Sequence, residues 1–104
     1  MTALSTPAQI MATLEAIDRD LAERLPSLEK AAEDHFRAKR EKEKTHAEQF
    51  LLSQGSVAER NARADAATAT MGAEAEASYE ARKAAVRVLE ARATIGASLL
   101  KVQR

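Results

Sequence analysis

Ser53-Gln54-Gly55-Ser56-Val57-Ala58-Glu59 decides the fold of this chain. Gly55 can adopt the left-handed backbone conformation that ends a helix, because it has no Cβ to clash. Ser56 and Glu59 then stand at the Ser-x-x-Glu spacing of a capping box, which opens the next helix. A stop and a restart within about three residues require a tight turn between antiparallel helices. The sequence therefore predicts a helix over 7–53, a turn at 54–56 and a second helix over 57–102. The fold class expected is all-α: one long antiparallel helical hairpin, coiled-coil-like, filling residues 1–104 as a single domain.

Moving outward from the turn, Thr6-Pro7-Ala8-Gln9 reads as the start of the first helix. Thr6 is placed to cap, Pro7 suits the first helical position, and Gln9 can close a second capping box. Pro26 falls inside this helix, where it removes one backbone donor and crowds the preceding turn. A kink near 22–26 is expected, with a full break as the weaker alternative. Charge agrees with an antiparallel arrangement. Residues 1–36 carry seven acids against three bases, and residues 82–104 carry six bases (Arg82, Lys83, Arg87, Arg92, Lys101, Arg104) against Glu90 alone. A turn at Gly55 lays these bands side by side, so part of the basic character should be neutralised inside the hairpin.

Composition narrows the function classes. The formal charge is zero, from 16 basic and 16 acidic residues, which gives no global attraction to nucleic acid or an acidic membrane. There is no cysteine, so neither a disulfide nor a thiol nucleophile is available. The N-terminal segment lacks the basic and apolar blocks of a signal peptide, and no run approaches a bilayer span of about 20 apolar residues. These features lead us to expect a cytoplasmic protein without membrane contact. Hydrophobic residues make up 45% of the chain, but alanine supplies about half of them. Alanine favours helix and buries little surface, so the core is thin and self-association is expected.

The faces of the two helices differ. Ile10, Leu14, Ile17, Leu21 and Leu28 step at coiled-coil intervals and form one seam. Farther along, the same face presents His35, Lys39, Lys42 and His46 opposite small residues such as Ala64, Thr68 and Ala75. This predicts a loosely packed, hydrated middle, or alternatively a polar seam that fixes register or senses pH. Near the end of the second helix, Tyr79, Val86, Ala93 and Leu100 make one heptad stripe with Leu89 and Gly96. Val88, Ile95, Leu99 and Val102 make another, about half a turn away. A helix apolar on two sides has two neighbours. The first helix can cover only one stripe, so Val88, Ile95, Leu99 and Val102 are the candidate face for a second copy or a protein partner. Gly96 and Ala97 suggest close helix approach.

Signs of catalysis are missing. His35 and His46 lie about 16 Å apart along a continuous helix, too far to share a metal, and no His-x-x-x-His or Glu-x-x-His pattern occurs. There is no phosphate-binding glycine loop, nucleophile elbow or dinucleotide fingerprint. We therefore expect no enzyme, no metal and no cofactor. Arg37, Lys39, Arg40 and Lys44, with Arg60 and Arg63 across the turn, form a candidate nucleic-acid patch. Acids alternate within it, however, and stacking aromatics are limited to Phe36 and Phe50.

The stretch Phe50-Leu51-Leu52-Ser53-Gln54-Gly55-Ser56-Val57-Ala58-Glu59-Arg60, followed by Asn61-Ala62-Arg63-Ala64, resembles a turn in small bacteriophage proteins. The likeness extends over roughly 35–104, through Tyr79, Arg87-Val88-Leu89 and Ser98-Leu99-Leu100. It implies a helical hairpin from a phage gene block for DNA replication or recombination, active in the host cytoplasm, and it transfers no catalytic residue. A second resemblance is to secreted helical hairpins of the type VII effector class. It lacks their Trp-x-Gly turn, and Lys83 stands where they place an acid after the tyrosine. The function expected is a non-enzymatic accessory role through protein–protein interaction. Direct DNA binding is the main alternative, and a coiled-coil spacer or secreted hairpin the remaining ones.

Overall fold

The computed structural model describes residues 6–102. Met1–Ser5, where no signal peptide was expected, and Arg104, the last member of the basic band, lie outside them. The described chain is all-α, with α1 over Pro7–Leu52, α2 over Val57–Thr68 and α3 over Ala73–Val102. This is the antiparallel helical hairpin that the Gly55 turn predicts.

The Thr6–Gln9 capping box forms in full, and of the second box the Ser56 half forms, with the Ser56 hydroxyl donating to Glu59 Oε1 at 3.2 Å. Thr6 Oγ1 accepts from the Gln9 amide at 3.2 Å, while Gln9 Oε1 accepts from the Thr6 amide at 2.9 Å. Two amide donors that a helix start leaves without partners are thus satisfied reciprocally. At the turn, Gly55 has φ +113°. Ser56 is extended, and its hydroxyl accepts from the Glu59 amide at 3.2 Å. The positive φ of Gly55 is what makes the position need glycine; a Cβ there would also lie 2.6 Å from Glu59 Oε2 and displace that flexible carboxylate. α1 runs through Pro26 without dividing, which removes the alternative of a full break.

The second arm departs from expectation. The helix predicted over 57–102 is two helices, with Ala69–Gly72 as turns between them. Gly72 has φ +78°, and its carbonyl accepts from the Glu76 amide at 3.0 Å to start α3. Just before the gap, the Thr68 hydroxyl donates to the Ala64 carbonyl at 2.9 Å, the back-bonding that lets a threonine end or bend a helix. Glu74 and Glu76 in the next turn suit the positive end of the new helix dipole.

The chain forms two compact units, one from residues up to Glu29 together with those from Glu80 onward, the other from Lys30–Tyr79. In the first unit, Ile10 and Ile17 of α1 are buried, as are Val86 and Leu89 of α3, with Leu14, Leu21, Leu28, Ala93 and Leu100 half-buried beside them. The predicted seam and the first α3 stripe meet here. Fully burying one such aliphatic side chain contributes about 1.5–3 kcal/mol. Gly96 serves this same packing: a Cβ there would come within 2.8 Å of Leu14 Cδ2. In the second unit the buried residues are Ala31, Ala64 and Thr68, all small.

Candidate functional site

Three surfaces could meet a ligand or partner, and each follows from local sequence. The first lies on α3 within the first unit. Val88 is 51% exposed, Ile95 61%, Leu99 46% and Val102 82%. Their heptad partners on the other side of the helix, Val86 and Leu89, are buried. The structure thus separates the two α3 stripes as the spacing predicts, one inside the unit and one in solvent. Ala84, Ala91 and Ala97 are exposed as well, so the outer face is flat and small-sided.

The second surface is an open groove of about 700 Å³ within the second unit. His35, Lys39, Lys42 and His46 of α1 line it, facing Asp65, Thr68 and Met71. His46 Nε2 meets Asp65 Oδ1 at 2.7 Å, a side-chain contact that joins α1 to α2. His35 is not a lone polar residue on this seam. Its ring stacks on Tyr79 with centroids 5.2 Å apart and planes 17° apart, and Phe36 sits 6.0 Å from the same tyrosine. Thr68 is buried at the groove, and Ala64, one turn before it, is fully buried outside the lining. Among the described residues, no group of three His, Asp or Glu is placed to hold a metal ion.

The third surface, at the turn, was not singled out as a site from sequence. Leu51 is 73% exposed, Leu52 78% and Val57 64%. The turn carrying them is tightly held. Arg60 lies over the Phe50 ring at 4.3 Å and donates through Nε to the Phe50 carbonyl at 3.0 Å. Arg63 donates to the Gln54 carbonyl, and Ser53 Oγ donates to the Gln49 carbonyl at 2.6 Å. At the end of α1 the Phe50 carbonyl is thus taken by the Arg60 side chain, while the Gln49 carbonyl also accepts from the Ser53 amide at 3.0 Å. The clue in the sequence was the pair of adjacent leucines before a glycine, which cannot both face one helix seam.

These contacts also redefine the nucleic-acid patch. Arg60 and Arg63 are engaged in holding the turn. Arg37 approaches Asp34 at 3.7 Å, and Lys39 lines the groove. Of the six, Arg37 and Arg63 have an acid within 4.0 Å on their own helix, whereas Lys39, Arg40, Lys44 and Arg60 make no ion pair among the described residues.

Much of the two charge bands lies in the first unit, where most of their described members form no ion pair. Glu15, Asp18, Glu23 and Glu29 on α1 make no ion pair among the described residues, nor do Arg82, Arg87, Arg92 and Lys101 on α3. The ion pairs of Asp20, Asp34, Glu59 and Glu80 join residues three or four apart on one helix. Band members that are not paired act on one another through a longer-range field, which salt screens.

Fold and surfaces together define a helical hairpin with an unoccupied apolar face. No helix of the described residues is long and apolar enough to cross a membrane. Compared with family models, with curated proteins and with solved structures, the chain matches none.

Proposed function

We propose that this chain is a non-enzymatic accessory protein that acts by binding other protein chains through the outer face of α3. The observation that carries this reading is the exposure of Val88, Ile95, Leu99 and Val102 on a helix whose opposite side is already packed. An aliphatic stripe of this length costs solubility unless a partner covers it, and its heptad spacing suits another helix. The likeness of residues 35–104 to small bacteriophage proteins supports a setting in phage DNA replication or recombination, in the cytoplasm of the host. The charged groups near the turn favour protein over direct DNA contact, since Arg60 and Arg63 are committed to the turn itself.

Affinity capture from expressing cells tests this reading with the intact chain and the doubly substituted Val88→Glu, Ile95→Glu chain. The intact chain is expected to retain one or more defined protein chains, its own untagged copy included, that the variant loses. Equal recoveries with both baits, with the variant still fully helical, would show that the α3 face binds nothing.

A further inference from the structure

We propose that the outer face of α3 is covered by the acidic outer face of α1 from a second copy of this chain, an inference that rests on the interaction reading above. α3 presents Ala84, Val88, Ala91, Ile95, Ser98 and Val102 at alternating steps of four and three, all of them exposed. This is an unbroken seam of nearly three heptads, the pattern that another helix reads. Every second position is Ala or Ser, which allows the partner helix to come close. At 100° per residue, Arg87 and Arg92 fall on the two flanks of this seam. Neither has an ion-pair partner among the described residues.

α1 carries a second stripe of its own, separate from the buried Ile10–Ile17 seam. Ala8, Met11, Glu15, Asp18, Ala22 and Leu25 follow one another at steps of three and four, and all are exposed. Its ends are apolar, and its middle holds two carboxylates that also lack an ion-pair partner among the described residues. Apolar residues with a central pair of acids on α1 complement apolar residues with flanking arginines on α3. Two α3 faces set against each other would instead bring Arg87 and Arg92 together with their like. A second copy thus offers both the heptad spacing and the opposite charge that the α3 face requires. The two faces differ, so the contact is heterologous rather than a patch meeting itself.

Sedimentation velocity on the full chain, across a wide concentration range and at low and high salt, reads the contact directly. The expected result is association that grows with concentration and weakens by roughly tenfold or more on going to high salt. Arg87→Glu with Arg92→Glu makes both faces acidic, and Glu15→Arg with Asp18→Arg makes both basic. Each variant alone is expected to stay monomeric, and an equimolar mixture of the two is expected to associate again. All four positions are exposed, so circular dichroism should report unchanged helicity. A wild-type chain that stays monomeric at every concentration overturns the inference. So does self-association that the α1 reversal leaves intact, which would indicate α3 meeting α3. If the wild type is monomeric but Val88→Glu with Ile95→Glu still loses a captured protein, only the occupant is wrong. If capture is unaffected too, the interaction reading falls with it.

Discussion

The two units of this hairpin use the same kind of helix and hold it together by different means. In the unit made from residues up to Glu29 and from Glu80 onward, four aliphatic side chains, Ile10, Ile17, Val86 and Leu89, are buried, and Gly96 lets Leu14 press in among them. In the Lys30–Tyr79 unit the buried residues are two alanines and one threonine. That unit relies on the Ser56 cap, the Arg60 and Arg63 contacts at the turn, His46 with Asp65, and the stack of His35 on Tyr79. Burial is non-directional and scales with area, whereas caps and polar contacts depend on geometry and contribute about 1 kcal/mol or less each. One unit therefore obtains its stability from volume, and the other from well-placed small interactions that leave a groove open.

The sharpest way to break this contrast is to truncate the aliphatic core. Leu89→Ala should lower the unfolding free energy by about 2–5 kcal/mol in chemical denaturation, because it removes buried methyl groups and leaves a cavity. A loss below 1 kcal/mol would mean that the first unit is not the anchor. Next comes Gly96→Leu, which forces bulk against Leu14 and should cost about 1–3 kcal/mol by the same measurement. Gly72→Ala should be milder, about 1–2 kcal/mol, since it demands a left-handed alanine but meets the Ala38 side chain at an ordinary 3.6 Å. The smallest change is expected from Thr68→Val. It keeps the shape, and the hydroxyl it removes bonds only to a helix carbonyl, so the shift should stay within about 1 kcal/mol. A large loss there would show that the second unit is packed as tightly as the first.

Much of the fold was legible because it depends on local chemistry. The capping boxes and the glycine at 55 need only a few adjacent residues, and the register follows from them. Facing residue numbers add to about 110, twice the number of the turn glycine, for Ala38 with Gly72 and for Leu14 with Gly96. The exposed α3 stripe was legible for a similar reason, since heptad spacing separates two faces of one helix. The gap at Ala69–Gly72 was also written in the chain, as a glycine followed by Glu74 and Glu76. The alanine-rich surroundings masked it, because alanine tolerates helix everywhere. What could not be read were long-range side-chain choices. His35 stacking on Tyr79 and Arg60 folding over Phe50 both depend on rotamers that no periodicity encodes.

The interruption at Ala69–Gly72 also bears on how long helices stay in step. A straight α-helix slips by about 20° against a seven-residue pattern with each heptad. A single helix over 57–102 would accumulate roughly 130° of slip, enough to carry a stripe from one side to another. α3 alone has 30 residues and accumulates about 85°. The four-residue gap works like a leap day in a calendar: the count restarts at Ala73, and α3 carries less slip than an unbroken second arm would.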